Sequence, residues 1–252
     1  MLLWKRMLVL FLVVSLAISC ATGGCLLVCP DKSWDVEAPG GYVIILHGMG
    51  RTDRSMRRME RNLSDAGYEV VNMKYSSMNE PVDKLVEMLD SAIENKCTNK
   101  SKKINFVTHS LGGILVRCYL NDHEDFNVGR VVMLSPPNNG SELVDTFGDV
   151  RLYQFITGEA GQSLGTGTDD LPRSLGKIDY EVGIIAGDSS LNPFYSYFID
   201  GPNDGKVSVE STKLEGMKDF LVVHSSHTFI MQRQFVIGQV LYFLEHGEFR
   251  KE

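Results

Sequence analysis

The sequence lacks several features that would assign it to a protein class at once. Its apolar N-terminal run, residues 7–18, is shorter than the roughly 20 residues that cross a membrane as a helix. No block of five basic residues occurs and the net charge is −7, so we expect no nucleic-acid partner. Neither a CxxC nor an HExxH pattern is present, which leaves metal chemistry without support. No internal repeat of solenoid length is found.

What the chain does contain is typical of a globular protein. Hydrophobic residues make up 43% and charged residues 23% of its 252 residues, which argues against disorder, collagen-like repeats and coiled coil. The length allows one large domain or two small ones. The chain has 24 glycines and 8 prolines, enough turn residues for many alternating strands and helices.

The N-terminus has the pattern of an export signal. Lys5 and Arg6 precede the apolar run, and small residues then lead to Cys20 in the order Ala-Ile-Ser-Cys. This resembles the signal peptide of bacterial lipoproteins, which is cut before a cysteine that carries lipid. The resemblance implies a signal peptide over residues 1–19, lipidation of Cys20, a tether over residues 20–38 and a folded domain over residues 39–252.

Two other interpretations of the N-terminus remain open. The signal could be an ordinary cleaved one, or an uncleaved anchor in which residues 26–28 extend the apolar span. All three interpretations export the chain. A lipoprotein would be attached to a membrane through its lipid, and an uncleaved signal through its apolar anchor. Ala21 follows Cys20 instead of the Asp that retains enteric lipoproteins in the inner membrane. In a Gram-negative host we therefore expect a periplasm-facing or outer-membrane protein.

Four further cysteines allow three disulfide pairings, and an oxidising compartment permits them. A bond between Cys25 and Cys29 would close the shortest loop. A bond between Cys97 and Cys118 would join two predicted helices. Buried free thiols are an equally good interpretation of Cys97 and Cys118.

Short apolar runs alternate with amphipathic helical patterns from about residue 40 onward. Asn79 is a predicted helix cap, the segment 142–156 can be helical, and Gly67 ends an earlier helix. This alternation predicts an α/β fold with a mostly parallel central sheet and helices on both faces. The predicted strands are 42–46, 69–75, 104–108, 131–134, 182–186 and 220–223.

A serine stands at the turn between the third predicted strand and the helix that follows it. The sequence there, Thr-His-Ser-Leu-Gly-Gly, resembles the nucleophile elbow of the α/β-hydrolases, with Ser110 as nucleophile. Gly112 provides the small neighbour that the close helix needs, whereas Thr108 replaces the first glycine of the usual motif. Ser110 as a plain helix N-cap is the alternative interpretation.

The first predicted strand ends in Leu-His-Gly-Met-Gly. In the α/β-hydrolases a His-Gly pair at this point begins the loop that contributes to the oxyanion hole. The resemblance implies that the backbone N–H groups of Met49 and Leu111 bind the oxyanion. It also implies that His47 is structural and that His109 points away from the catalytic triad.

The family order requires an acid and then a histidine after the fifth strand. Asp204 stands in an Asp-Gly-x-Val turn that resembles the position of the catalytic acid, while Asp188 and Asp200 are the alternatives. His227 opens the last helical region, where the family has its general base. His224 ends the last strand and is the alternative.

Together these motifs resemble α/β-hydrolases of the small bacterial lipase and esterase type. The resemblance implies that Ser110 attacks an ester of a small molecule or lipid, that His227 takes its proton, and that no cofactor or metal is needed. Acyl transfer, thioester cleavage, amide cleavage and an inactive binding module are the alternatives. The glycine-rich segment 136–179 stands where the family has caps or lids. The aromatic segment 191–199 could form an acyl-binding wall or pack as an ordinary loop.

Overall fold

The computed structural model describes residues 40–123, 127–150 and 158–251. Its six strands form one sheet in which all five pairings are parallel. The predicted α/β class and mostly parallel sheet are therefore confirmed. The strands are β1 (Tyr42–Leu46), β2 (Glu69–Asn72), β3 (Ile104–His109), β4 (Val128–Leu134), β5 (Val182–Gly187) and β6 (Asp219–Val223), in the spatial order β2-β1-β3-β4-β5-β6.

Helices connect successive strands, and two short 3₁₀ turns, Asp53–Met56 and Ile230–Gln232, precede α1 and the last helix. None of the helices in the described part of the chain is long and apolar enough to cross a membrane. The helices are α1 (Arg57–Asp65), α2 (Val82–Lys96), α3 (Leu111–Asn121), α4 (Glu142–Phe147), α5 (Leu171–Ser174), α6 (Pro193–Ser196), α7 (Val209–Thr212) and α8 (Gln234–His246), with a further helical turn at 158–162.

Alternate residues of the central strands face two separate hydrophobic clusters. In β1, Ile44 and Leu46 pack with α2 and α3, whereas Val43 and Ile45 pack with α1 and α8. All five β1 side chains are buried, as expected for a strand covered on both faces. The sheet is thus a rigid layer between helices, and the loops at the carboxyl ends of its strands carry the predicted site residues.

Some predicted elements differ in extent from the observed ones. β2 ends at Asn72 instead of Tyr75, and its last pair in the sheet is with Ile45 of β1. Asn79 does not cap α2: Pro81 is the N-cap residue, and the Asn79 amide binds Ser76 instead. Within the predicted helix over 142–156, α4 ends at Phe147 and residues 148–150 are not helical, while residues 151–156 lie outside the described residues.

Two of the cysteines lie in the described part of the chain. Cys97 and Cys118 are both free thiols, so the suggested bond between them is absent. Burial raises the pKa of each thiol to about 11. Cys20, Cys25 and Cys29 lie outside the described residues, and the division into signal peptide, tether and domain stays a prediction.

Candidate active site

Ser110 has a backbone conformation that marks the turn as strained. It follows β3 directly and has φ 54° and ψ −123°, outside the regions that L-residues favour. It occupies the N-cap position of α3, but its side chain makes no capping hydrogen bond. The interpretation of Ser110 as a plain N-cap is therefore wrong. Strain of this kind is characteristic of functional turns.

Two glycines allow this turn to pack closely. A methyl group on Gly112 would lie 2.8 Å from Leu46 Cβ and 2.9 Å from Leu46 O. A methyl group on Gly48 would lie 3.0 Å from Ser110 Cβ. Because both neighbours are rigid parts of the fold, only glycine fits without displacement, and the loop after β1 lies directly against Ser110.

Asp204, His227 and Ser110 form a continuous series of hydrogen bonds. Asp204 Oδ2 lies 2.7 Å from His227 Nδ1, and His227 Nε2 lies 3.0 Å from Ser110 Oγ. Both separations are within the reach required of a nucleophile, its base and the group that orients the base. The His227 and Asp204 side chains are 7% and 0% exposed, so water does not compete for these bonds.

The Asp204 carboxylate is held by the tight turn that follows it. Its Oδ1 accepts hydrogen bonds from the backbone N–H groups of Lys206 at 3.0 Å and Val207 at 2.9 Å. Burial alone would raise the pKa of Asp204, but the neighbouring His227 and the donors around the carboxylate hold that pKa below its usual value. The backbone N–H of His227 also donates to Asp204 O at 3.1 Å, which ties the two loops together.

The alternative acid and base residues pair with each other at the surface. His224 Nδ1 lies 3.1 Å from Asp188 Oδ1, and the His224 side chain is 85% exposed. Asp200 is exposed as well. None of the three makes a hydrogen bond with Ser110, Asp204 or His227 in the described part of the chain.

His109 does not point away from the triad, so that prediction is wrong. Its ring centroid lies 4.7 Å from that of His227, and its Nε2 lies 3.0 Å from His227 O. Burial, and then the nearby His227 and Arg51, hold the pKa of His109 well below its usual value. A neutral His109 can donate a hydrogen bond from Nε2 to His227 O. This bond fixes the backbone of the loop that carries His227.

The proposed oxyanion donors lie on the two loops that meet at Ser110. Leu111 is the first residue of α3, and Met49 follows Gly48. Within the described residues, neither backbone N–H is hydrogen-bonded to a protein acceptor. Such N–H groups at a helix N-terminus favour a negative charge. The two loops can therefore supply one donor each to an oxygen that becomes negative beside Ser110 Oγ.

His47 supports the loop from beneath, as the sequence predicts. It is fully buried, its ring is stacked on Tyr75 with centroids 3.9 Å apart, and the Tyr75 hydroxyl donates to His47 O. Ser77 Oγ accepts the Gly50 N–H at 3.0 Å. The segment after β2 thus holds the loop after β1 in place.

The segment 136–179 contacts the acid loop through its first helix. Ser141 donates to Lys206 O at 3.0 Å, and Ser208 donates to Glu142 Oε1 at 3.0 Å. The aromatic ring of Phe147, in α4, lies 5.2 Å from that of Phe198. The predicted cap or lid role of this segment stays a prediction.

A large cavity, of about 1280 Å³, lies at the other end of the sheet. Its lining includes residues that precede strands, such as Gly41, Lys103 and Glu181, and none of the triad residues. Ligands of open parallel sheets bind at the carboxyl ends of the strands. The arrangement of polar groups, rather than cavity size, therefore identifies the candidate site.

The palmitoyl protein thioesterase family model matches residues 42–167, half of the chain. The chain belongs to this family. The matched segment contains Ser110, His109 and the glycine loop after β1, but it ends before Asp204 and His227. In this member of the palmitoyl protein thioesterase family, the proposed acid and base therefore lie outside the matched segment. No curated protein matches the sequence significantly.

Solved structures share the fold of this palmitoyl protein thioesterase family member. The mature lipase BlEst2 of Bacillus licheniformis has a TM-score of 0.67 at 19% identity, over 88% of this chain and 96% of that chain. An esterase of Exiguobacterium antarcticum has a TM-score of 0.56 at 15% identity, over 83% and 98%. Phospholipase PlaB of Legionella pneumophila has a TM-score of 0.59 at 21% identity over 68% of this chain, which spans only 45% of that enzyme.

At these identities the structural likeness shows the α/β-hydrolase fold. Together with the palmitoyl protein thioesterase family match, it identifies the chain as a hydrolase of the esterase, lipase and thioesterase group. The sequence-based expectation of an ester hydrolase is confirmed at this general level.

Proposed function

We propose that the chain is a serine hydrolase that cleaves carboxylic esters through an acyl-enzyme on Ser110. The observation that carries this proposal is the continuous, buried hydrogen-bond series from Asp204 through His227 to Ser110. A serine hydroxyl is a weak nucleophile unless an adjacent base accepts its proton. The strained turn at the head of α3 supports the same role for Ser110.

In the proposed mechanism Ser110 Oγ attacks the ester carbonyl carbon while its proton moves to His227 Nε2. The carbonyl oxygen becomes negative and is bound by the N–H groups of Met49 and Leu111. Asp204 stabilises the positive imidazolium and keeps the proton on Nδ1. His227 then protonates the leaving alcohol as the acyl-enzyme forms. A water molecule, deprotonated by His227, releases the acid and restores the Ser110 hydroxyl.

Thioester cleavage is the second candidate, and the family match favours it. A thiol leaving group has a pKa near 8.5, so it departs as a thiolate with little help from a general acid. The same site can therefore cleave both bond types. Matched oxygen and sulfur esters with one acyl chain would separate them: a much larger kcat/KM for the thioester would replace the carboxylic-ester assignment with a thioesterase.

The aromatic residues beside the acid loop suggest an acyl-binding wall. Phe194 and Phe198 lie 5.2 Å apart in an edge-to-face arrangement, and both contact Phe147. Leu191 and Tyr197 are exposed apolar side chains on the same segment, at 66% and 84%. This surface suits the hydrocarbon chain of a lipid or small-molecule ester. A series of p-nitrophenyl esters of increasing chain length should show rising kcat/KM, and Phe198→Ala should reduce the gain.

The central test is Ser110→Ala, combined with labelling by a fluorophosphonate probe. We expect the wild-type protein to be labelled and to hydrolyse p-nitrophenyl butyrate, and the variant to do neither while retaining its fold by circular dichroism. Wild-type-like turnover by the variant would refute the mechanism. A wild-type protein that is neither labelled nor active would indicate a binding module. Faster transfer to added alcohols or cleavage of amides would indicate the other reactions of this fold.

We also propose that the protein is exported and carries lipid on Cys20. The short apolar run that ends in Ala-Ile-Ser-Cys supports this proposal. Mass spectrometry of protein from its native membrane should find a mature N-terminus at an acylated Cys20. An intact Met1 would favour an anchor instead, and a mature chain that begins elsewhere would favour plain secretion.

A further inference from the structure

His109, the last residue of β3, lies between two loops that surround the nucleophile. It is buried, with 1% of its surface exposed. On one side its Nε2 lies 3.0 Å from His227 O. On the other side its ring lies against Gly48, where an added methyl group would be 2.7 Å from His109 Nδ1. The side chain therefore contacts both the loop that carries the proposed base and the loop after β1.

The hydrogen bond between His109 and His227 has a defined direction. A carbonyl oxygen only accepts, so His109 Nε2 must carry the proton and donate it to His227 O. The other ring nitrogen, Nδ1, is buried and has no hydrogen-bond partner in the described part of the chain. The buried imidazole of His109 thus makes one directed hydrogen bond, and that bond goes to the loop that carries His227.

The backbone of His227 is held from two directions. Its N–H donates to Asp204 O at 3.1 Å, and its O accepts the proton of His109 Nε2. The first bond ties the proposed base to the acid loop, and the second ties it to β3, which leads directly into the nucleophile turn. Because the N–H and the C=O stand on either side of one Cα, the two bonds together fix the direction in which the imidazole leaves the backbone.

The His109 ring also packs against the imidazole of His227. The two ring centroids are 4.7 Å apart, and the ring planes are inclined by 50°. β3 is buried along its whole length and paired with β1 and β4, so it gives His109 a rigid support. This contact limits how far the imidazole can turn away from Asp204 Oδ2, at 2.7 Å, and Ser110 Oγ, at 3.0 Å.

We propose that His109 is a positioning residue for the proposed catalytic base: its Nε2–H fixes the backbone of His227 and so keeps the imidazole aligned with the acid and the nucleophile. The inference rests on the proposed function, because it presumes that His227 accepts the Ser110 proton. The His109 side chain makes its hydrogen bond to His227 O and not to Ser110 Oγ, so it acts through His227. Displacement of a catalytic group by about 1 Å can cost roughly 100-fold in rate, so one directed donor at this position matters.

Substitutions by the two amide residues separate the donor from packing. The amide nitrogen of glutamine is the same number of bonds from Cβ as Nε2 of histidine, so His109→Gln can still donate to His227 O. Asparagine carries the same amide group on a shorter side chain, so His109→Asn keeps a polar group but loses the reach to His227 O. His109→Leu fills the space without any donor. The comparison of glutamine with asparagine remains decisive even where the leucine variant does not fold.

In p-nitrophenyl butyrate hydrolysis we expect His109→Asn and His109→Leu to lower kcat by about tenfold, the effect of one lost hydrogen bond, with little change in KM. His109→Gln should retain at least about a third of the wild-type kcat. The control Gln239→Leu removes an equally buried side chain that is hydrogen-bonded to the Arg250 backbone at 2.8 and 3.0 Å, and it should keep the wild-type kcat. Equal kcat values in His109→Gln and His109→Asn would overturn the proposal, because packing alone would then explain any loss.

Amide hydrogen exchange, measured by NMR without substrate, separates this proposal from the proposed function. The His227 N–H is protected by its bond to Asp204 O, and the Val131 N–H by its bond to Glu181 O at the other end of the sheet. The ratio of the first exchange rate to the second should rise about tenfold in His109→Asn and keep its wild-type value in His109→Gln and in the control. An unchanged ratio in His109→Asn would overturn the role of His109. A changed ratio with an inactive wild-type protein would overturn only the proposed ester hydrolysis.

Discussion

Asp204→Asn removes the charge of the proposed acid and keeps its size. In the wild-type structure Asp204 Oδ2 accepts the Nδ1 proton of His227 at 2.7 Å, which leaves Nε2 free to accept the Ser110 proton at 3.0 Å. An asparagine can present an N–H group to Nδ1. The imidazole proton then moves to Nε2, and His227 can no longer act as a base for Ser110.

The expected loss is large because no water can replace the acid. The Asp204 side chain is 0% exposed, and the His227 side chain is 7% exposed. A wrong tautomer in a triad of this kind costs roughly 10⁴ in kcat, or about 5.4 kcal/mol of transition-state stabilisation. The substrate does not contact Asp204 in the proposed mechanism, so KM should change little.

Steady-state hydrolysis of p-nitrophenyl butyrate measures both constants, and the matched control is Asp188→Asn. Like Asp204, Asp188 lies at the carboxyl edge of the sheet and pairs with a histidine, but its partner His224 is exposed. We expect the control and His224→Ala to retain at least half of the wild-type kcat. Activity above a tenth of the wild type in Asp204→Asn, or a collapse in Asp188→Asn, would refute the assignment of the acid.

Two further predictions concern stability. Gly112→Ala should destabilise the fold by about 1–3 kcal/mol relative to Gly113→Ala. The methyl group on residue 112 would meet Leu46 O at 2.9 Å, whereas one on residue 113 would meet only side-chain atoms at 3.1 Å or more. Equal Tm values of the two variants by calorimetry would contradict this. Burial lowers the pKa of His47 and His109, so the folded state binds fewer protons than the unfolded state below pH 6.5. The free energy of unfolding should therefore fall with decreasing pH by up to about 1.4 kcal/mol per pH unit for each histidine. Urea titrations at pH 7.5 and 5.5 should show that this free energy falls less in His109→Gln than in the wild type.

Most of the sheet could be predicted from the sequence because β1, β3 and β5 are buried on both faces. Continuous apolar runs such as residues 42–46 have no other stable arrangement at that length, and the observed β1 has the same bounds. Boundaries that depend on a neighbour could not be predicted. The predicted second strand extends to Tyr75, whereas the pairing of β2 with β1 ends at Asn72.

The sequence indicates the proposed nucleophile, acid and base because each stands in a local pattern with a physical cause. The sharp turn at Ser110 needs small neighbours, and the Asp-Gly turn at Asp204 supplies backbone donors to its own carboxylate. The contact of His109 with the loop that carries His227 could not be predicted in this way, because it depends on a long-range hydrogen bond to His227 O.

The two aspartate–histidine pairs show why residue type and position are not enough to identify a catalytic pair. Asp188–His224 and Asp204–His227 both lie beyond strand ends, with separations of 3.1 Å and 2.7 Å. The first pair is in contact with solvent, where such a pairing contributes little to stability. The second is enclosed, its carboxylate is held by backbone donors, and its imidazole has only Ser110 Oγ to bind at the other nitrogen. Burial thus distinguishes the proposed acid–base pair from a chemically identical pair at the surface.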